Sequence, residues 1–99
     1  MLELILAALA AVVIDVVVTV AILAFAAVVQ WFLDLQEKID ENDLAFTLRH
    51  DLSNGKYTIL QGIFDKSTDQ IEQVRRINAK RFDARLSEAH ADNRLVVYT

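Results

Sequence analysis

Residues 4–33 read LILAALAAVVIDVVVTVAILAFAAVVQWFL, and the interpretation of the whole chain depends on this stretch. It is apolar except at Asp15, Thr19 and Gln30. As one helix it would be about 45 Å long, whereas the hydrocarbon core of a bilayer is about 30 Å thick. A chain of 99 residues cannot build a core large enough to hide such a helix. The stretch therefore predicts a transmembrane helix over residues 1–33.

The distribution of charge predicts how this helix is oriented. All ten Lys and Arg residues follow the apolar stretch, and none precedes it. Cytoplasmic flanks carry the excess of Lys and Arg in membrane proteins, which predicts an outside N-terminus and a cytoplasmic tail. Trp31 and Phe32 end the stretch, where aromatic side chains anchor helices at the membrane interface. The first predicted partner is therefore the lipid bilayer.

The tail is predicted to contain a helical extension over residues 34–43 and a small α+β domain over residues 44–99. Two alternating segments flank Asn54-Gly55, a dipeptide typical of tight hairpin turns. In that hairpin Leu52 would face Tyr57 and His50 would face Ile59. Gly62 indicates a bulge or a close approach of two backbones.

Residues 70–79 fit two structures. Ile71, Val74 and Ile77 recur at helical spacing, whereas a two-stranded hairpin needs a third strand for stability. We favour a strand here, then a helix over residues 81–91 and a closing strand over residues 95–98. The predicted fold class is membrane-anchored α+β, with one N-terminal transmembrane helix followed by a small antiparallel sheet of three or four short strands and one helix.

Asp15 is the residue whose chemistry stands out. A carboxylate in mid-membrane costs about 2.5–3.5 kcal/mol on insertion scales, so it is protonated, paired or turned away from lipid. Three readings follow: a hydrogen bond that fixes helix packing, a carboxylate that handles protons or ions, or a span that starts near Asp15. Small and polar residues on its side of the helix predict a helix-packing interface: Ala8, Ala11, Asp15, Thr19, Ile22 and Ala26.

Residues 13–18, VIDVVV, resemble the membrane helix of the ExbD/TolR stator proteins, which carry an aspartate in an Ile-Asp-Val-type context. The resemblance implies that Asp15 takes part in proton-motive-force coupling beside a larger partner, with a small α+β domain in the periplasm. The chain departs from this family because no polar segment and no proline precede Asp15. Its charge bias also points the tail to the other side of the membrane.

Half of the positive charge lies in one cluster, formed by Arg75, Arg76, Lys80, Arg81 and Arg85. The cluster predicts contact with anionic lipid or an acidic partner, and its alternative is a solvated face balanced by nearby carboxylates. Nucleic acid is not expected, because Phe82 is the lone interleaved aromatic residue and the net charge of the chain is −4.

No catalytic or metal-binding constellation is evident in the sequence. There is no cysteine, no phosphate-binding loop and no nucleophile-elbow motif. His50 and His90 lack metal-ligand spacing and read as surface residues. We therefore predict no enzymatic activity, no cofactor, no metal and no small-molecule substrate.

The predicted function is a non-enzymatic, single-pass membrane protein that acts as a small accessory or assembly subunit or as a self-associating scaffold. Its partners would be other transmembrane helices, from its own copies or from a larger membrane protein. The alternative is an ion- or proton-coupled component, stator-like or a homo-oligomeric pore, that uses Asp15.

Overall fold

The N-terminal third of the chain forms three elements instead of one helix. A computed structural model describes residues 1–51 and 57–98, and in it α1 (Leu2–Ala10) is followed by β1 (Val17–Leu23) and α2 (Phe25–Asp34). No helix in the described residues has both the length and the apolar character needed to cross a membrane. The predicted transmembrane helix is therefore wrong, and so is the single-pass topology with a cytoplasmic tail.

The composition of the apolar stretch explains where the helix breaks. Residues 12–22 are β-branched at every position except Asp15 and Ala21. Such side chains lose rotamer freedom in a helix and pack well on a pleated sheet. The residues before and after this segment are rich in alanine and leucine or in aromatic residues, and these form α1 and α2. The apolar run predicts one span because hydropathy alone ignores this change of propensity.

Within the described residues, five strands form one mixed sheet in the order β1-β4-β3-β2-β5. The pair β1–β4 is parallel and the other pairs are antiparallel, so the prediction of an antiparallel sheet with three or four strands lacked β1. The predicted strand over residues 70–79 and the closing strand are confirmed. A 3-10 turn, Gln36–Lys38, separates α2 from the remaining elements: β2 (Asp43–Asp51), β3 (Tyr57–Asp65), β4 (Gln70–Phe82), α3 (Ala84–Ala89) and β5 (Leu95–Tyr98).

The hairpin register differs from the prediction by one residue. His50 lies opposite Thr58 in the β2–β3 ladder, not opposite Ile59. Tyr57 lies opposite Asp51, not opposite Leu52, and the predicted Asn54-Gly55 turn lies outside the described residues. A one-residue slip moves every side chain of a strand to the other face of the sheet, so the buried faces decide the register.

Helices cover both faces of the sheet. On one face α1 places Ile5, which is fully buried, against a cluster that includes Phe46 and Phe64. On the other face α2 and α3 place Val28 and Leu86 against a second cluster on the central strands. The apolar N-terminal third thus supplies α1 on one face, α2 on the other face and the strand β1. This arrangement explains how a short chain can bury much of its apolar stretch.

Asp83 joins the two helices of the second face to the end of β1. Its Oδ1 accepts a hydrogen bond from the Leu86 N–H at 2.9 Å and caps α3, while Oδ2 accepts one from the Phe25 N–H at 3.0 Å. The Asp83 N–H donates to the Leu23 carbonyl at 2.9 Å. A capping aspartate contributes about 1 kcal/mol. These bonds hold the C-terminal end of β1 in one position.

Candidate interaction site

The outer side of β1 is the least protected apolar part of the sheet. Along residues 1–51 and 57–98, β1 pairs only with β4 and its other side carries no strand. Val16 and Val17 are each 51% exposed, and Ile22 is 47% exposed. The sequence has no charged residue and no proline between Asp15 and Asp34. We refer to residues 16–23, with this open side, as the β1 edge.

The two outer strands of the sheet differ in the features that block edge pairing. Natural sheets protect their edges with short strands, charged side chains, prolines or bulges. β5 is four residues long and follows Asp92 and Arg94. β1 is seven residues long, uncharged and mostly β-branched, which is the composition that favours strand-to-strand association. The β1 edge is therefore the side of the sheet suited to pairing.

Charged side chains lie beside both ends of β1. Asp15 is exposed just before the strand and makes no hydrogen bond or ion pair with the rest of the described chain. At the other end Arg81 lies in register with Ile22 on the neighbouring strand. The Arg85 guanidinium lies 4.5 Å from the centre of the Phe25 ring. At the start of the strand Arg76 lies in register with Val17, so basic side chains of β4 lie beside both ends of β1.

The six residues predicted as a helix-packing face do not lie on one helix. Ala8 is buried on α1, Ala11 is its C-cap, and Ala26 is exposed on α2. Three of the six lie together on or beside the β1 edge, and all three are exposed: Asp15, Thr19 and Ile22.

The predicted basic cluster is divided between different surroundings. Arg75 lies 5.1 Å from the centre of the Trp31 ring, and its Nε donates a hydrogen bond to Gln61 Oε1 at 2.8 Å. The Gln61 Nε2 donates in turn to the Val28 carbonyl at 2.8 Å, so Arg75 and Gln61 attach α2 to the sheet. Contact with anionic lipid or an acidic partner stays a prediction for the exposed members, which are Arg76, Lys80, Arg81 and Arg85.

Trp31 and Phe32, predicted as a membrane anchor, pack on the sheet. The centre of the Phe32 ring lies 5.5 Å from that of Trp31 and 5.1 Å from that of Tyr98. Beside them an apolar groove of about 580 Å³ opens between α2 and β5. The Tyr98 hydroxyl is already hydrogen bonded to Thr47, so the groove offers mainly apolar contacts.

His90 is fully buried, so its reading as a surface residue is wrong. Burial lowers the pKa of His90, which makes the neutral ring the stable form. The Nδ1–H of this ring donates to the Asn93 carbonyl at 2.9 Å, so Nε2 accepts from the Thr47 hydroxyl at 2.8 Å. The Thr47 hydroxyl then accepts from Tyr98 at 2.7 Å. Both ring nitrogens are occupied, and this histidine holds α3 and β5 against β2.

Asp43, Asp65 and Glu72 form an acidic cluster that the sequence analysis missed. One carboxylate oxygen from each lies within 4.8 Å of the others. Asp65 accepts two hydrogen bonds from Ser67, whereas the buried Oδ1 of Asp43 has no partner in the described chain. Removal of water around the carboxylate, and then the charge of Asp43, raise the pKa of Glu72 to about 7. Carboxylate oxygens are ligands for hard cations. Either a bound cation or a proton on Glu72 would reduce the repulsion between the three carboxylates.

Replacing Glu72 with glutamine is expected to remove a pH dependence of stability. The pKa of Glu72 is about 7 in the folded chain, whereas the ordinary pKa of a glutamate is 4.5, so the folded state binds this proton more tightly. The stability it contributes is complete below about pH 4.5 and is lost as the pH rises through about 7. The Glu72→Gln variant should therefore exceed the wild type in stability at about pH 8. Urea denaturation across this range measures the difference.

Asp69→Asn is the matched control for this experiment. Asp69 is exposed in the turn between β3 and β4 and has a positive φ of 57°, which asparagine also tolerates. The Asp69→Asn substitution removes one carboxylate that lies outside the cluster, so the stability of this variant should depend on pH as that of the wild type does. Parallel pH curves for Glu72→Gln and the wild type would contradict the shifted pKa.

The chain matches no protein-family model, no curated protein sequence and no solved structure. Sequence reasoning missed the β1 edge, although the β-branched run over residues 12–22 was a signal for it. The acidic cluster had no such signal, because its members come from three different strands and meet only through strand pairing.

Proposed function

We propose that this chain is a non-enzymatic interaction module that associates with a second copy of itself through the β1 edge. The observation that carries this proposal is the seven-residue, uncharged, β-branched strand whose outer side is open in the described structure. The free N–H and C=O groups of an edge strand form a template for another strand. The proposal keeps the self-associating role predicted from the sequence and replaces its membrane helix with a sheet edge.

Antiparallel pairing about a two-fold axis is the arrangement that uses the same strand from both copies. It joins the two sheets into one continuous sheet and places Val17 and Ile22 of each copy beside the β1 edge of the other. Cross-strand pairs of β-branched residues each contribute roughly 0.2–1 kcal/mol. Strand-edge contacts bury less area than standard interfaces, so we expect a dissociation constant on the order of micromolar.

Replacing Val17 with lysine is expected to abolish this association. The substitution places a charge on the exposed part of the β1 edge, and lysine on an edge strand opposes edge pairing in natural sheets. Sedimentation velocity from about 1 to 100 μM, a range that brackets the expected micromolar affinity, should show a dimer for the wild type and a monomer for Val17→Lys.

Ala27→Lys is the matched control, because it adds the same charge at an exposed position on α2. It should dimerise like the wild type, and circular dichroism should confirm that both variants are folded. A wild type that stays monomeric throughout this range, or a Val17→Lys variant that still dimerises, would refute the proposal.

The alternative predicted from the sequence, an ion- or proton-coupled role for Asp15, stays a prediction. In the described structure Asp15 is exposed in the segment between α1 and β1.

A further inference from the structure

We propose that the groove between α2 and β5 binds a medium-chain carboxylate, with the hydrocarbon chain in the groove and the carboxylate at Arg85. The groove has a volume of about 580 Å³, within the range of about 300–1,000 Å³ that is typical of ligand pockets. None of the described residues that line it belongs to β1, so this inference does not depend on the proposed association.

The lining of the groove suits a hydrocarbon chain. Every described residue that lines it is apolar, apart from the hydroxyl of Tyr98, which already has a hydrogen-bond partner. Val29 and Leu33 line it from α2, and Ala89 lines it from α3. Leu33 is 49% exposed, so an apolar surface remains open to water there. A ligand with polar groups along its length would lose their hydration in this groove without gaining side-chain partners.

Arg85 supplies a positive charge at one end of the groove. Its guanidinium lies 4.5 Å from the centre of the Phe25 ring, and Phe25 belongs to the groove lining. Ala89 also lines the groove and follows Arg85 by four residues on α3, so the two side chains lie on the same face of that helix. Arg85 is exposed and makes no ion pair with the described residues. Its guanidinium can therefore form charge-assisted hydrogen bonds with the carboxylate of a ligand.

The carboxylates near Arg85 in sequence are not paired with it. Both oxygens of Asp83 accept hydrogen bonds from backbone N–H groups, and Glu88 is exposed and makes no ion pair with the described residues. At the other end of the groove Asp34 follows Leu33 and adds a negative charge. A bound carboxylate is therefore favoured at the Arg85 end, and its chain extends toward Leu33.

The length of the groove suits a chain of about ten carbons. Phe25 and Leu33 both line it and are separated by roughly 12 Å along the axis of α2, at about 1.5 Å per residue. An extended saturated chain of about ten carbons has a similar length. Because the groove is open, only part of the chain is buried, and we expect decanoate to bind with a dissociation constant on the order of 0.1 mM.

Decanoate and decyltrimethylammonium are the probes for this site, because they carry the same alkyl chain and opposite charges. Isothermal titration calorimetry below the micelle concentration of each should show decanoate binding about tenfold more tightly to the wild type. In NMR spectra of the wild type, decanoate should shift the amide signals of α2, α3 and β5 and leave those of α1 in place.

Replacing Arg85 with glutamine is expected to weaken decanoate binding about fivefold and to remove the preference for decanoate over the cation. Arg76→Gln is the matched control, because Arg76 is exposed beside the start of β1 and does not line the groove. It changes the net charge equally and should bind decanoate like the wild type.

A second pair of variants tests whether the chain occupies the groove. Val29→Trp fills part of the groove and should weaken decanoate binding at least about tenfold, because it removes the space for the chain. Ala27→Trp adds the same side chain at an exposed position of α2 outside the lining and should leave the affinity unchanged. Circular dichroism checks that both variants are folded.

Three results would each overturn the inference, and none of them requires Val29→Trp to fold. They are equal affinities of the wild type for decanoate and the cation, an unchanged affinity of Arg85→Gln for decanoate, and amide shifts confined to residues outside the groove. A wild type that is monomeric would overturn the proposed function and leave this inference standing.

Discussion

Replacing Ile5 with alanine is expected to lower the free energy of unfolding by about 2–4 kcal/mol. Ile5 has no exposed surface and packs in the cluster of Phe46, Leu48 and Phe64 between α1 and the sheet. Removing three carbon atoms from such a site loses their burial and leaves a cavity, because the surrounding strands relax only in part. Thermal unfolding should shift down by roughly 10–30 °C, since about 1 kcal/mol corresponds to 4–8 °C at this size.

Leu4→Ala is the matched control for this prediction. Leu4 is the preceding residue of the same helix and is 47% exposed, so it loses little buried surface. We expect its stability to change by less than about 0.5 kcal/mol, as for most surface substitutions. If α1 packs on the sheet through one side only, the substitution at Ile5 must cost far more stability than the one at Leu4. Equal losses of stability would therefore contradict this packing.

Replacing Gly62 with alanine is expected to destabilise the sheet by about 3 kcal/mol. An added Cβ at this position would lie 2.6 Å from the Gln73 carbonyl oxygen and 3.0 Å from the Phe46 Cζ. The first of these contacts is with backbone in the adjacent strand, so it cannot be relieved by a rotamer change. The strands β3 and β4 would have to separate at the centre of the sheet. Urea denaturation monitored through Trp31 fluorescence measures the loss.

A second substitution tells which contact causes that loss. Phe46→Leu removes the ring beside Gly62 and leaves the Gln73 carbonyl in place. Combined with Gly62→Ala, it should recover little stability, since the backbone contact is the shorter one. A double variant more stable than Gly62→Ala would show that the aromatic ring, and not the neighbouring strand, requires glycine here.

The proposed association would also protect the β1 edge from pairing with other strands. A long, uncharged edge is exposed to uncontrolled strand addition. A two-fold dimer closes the edge, because each β1 covers the other and the short, charge-flanked β5 strands become the outer edges.

Local patterns predicted much of the C-terminal part of the chain. The alternation around β2 and β3, the strand over residues 70–79 and the closing strand are all present. The indication from Gly62 is also confirmed, because the backbone approaches closely there and the β3–β4 register shifts at Ile63 and Phe64. The hairpin register was wrong by one residue. Burial of a whole strand face sets the register, and that requires the neighbouring strands and α1.

Candidate site residues were harder to predict than strands. Asp15, Thr19 and Ile22 were singled out for a shared helix face, and they lie near one surface because of a strand edge instead. His90 is buried because α3 and β5 close over it, which no spacing in the sequence indicates. The acidic cluster requires three strands to be in register before its carboxylates meet.

Over residues 4–33 the hydropathy predicts a membrane helix, whereas the β-branched centre favours a strand. Tertiary structure decides between the two. The amino-acid order alone specifies an apolar segment with a β-branched centre flanked by helix formers. Whether that centre becomes part of a membrane helix or a strand depends on a partner for its backbone. β4 supplies the partner, because it is thirteen residues long and β3 leaves its other side open for parallel pairing with β1. Hydrogen bonding to β4 and the covering of both sheet faces by α1 and α2 are tertiary effects, and they decided the outcome.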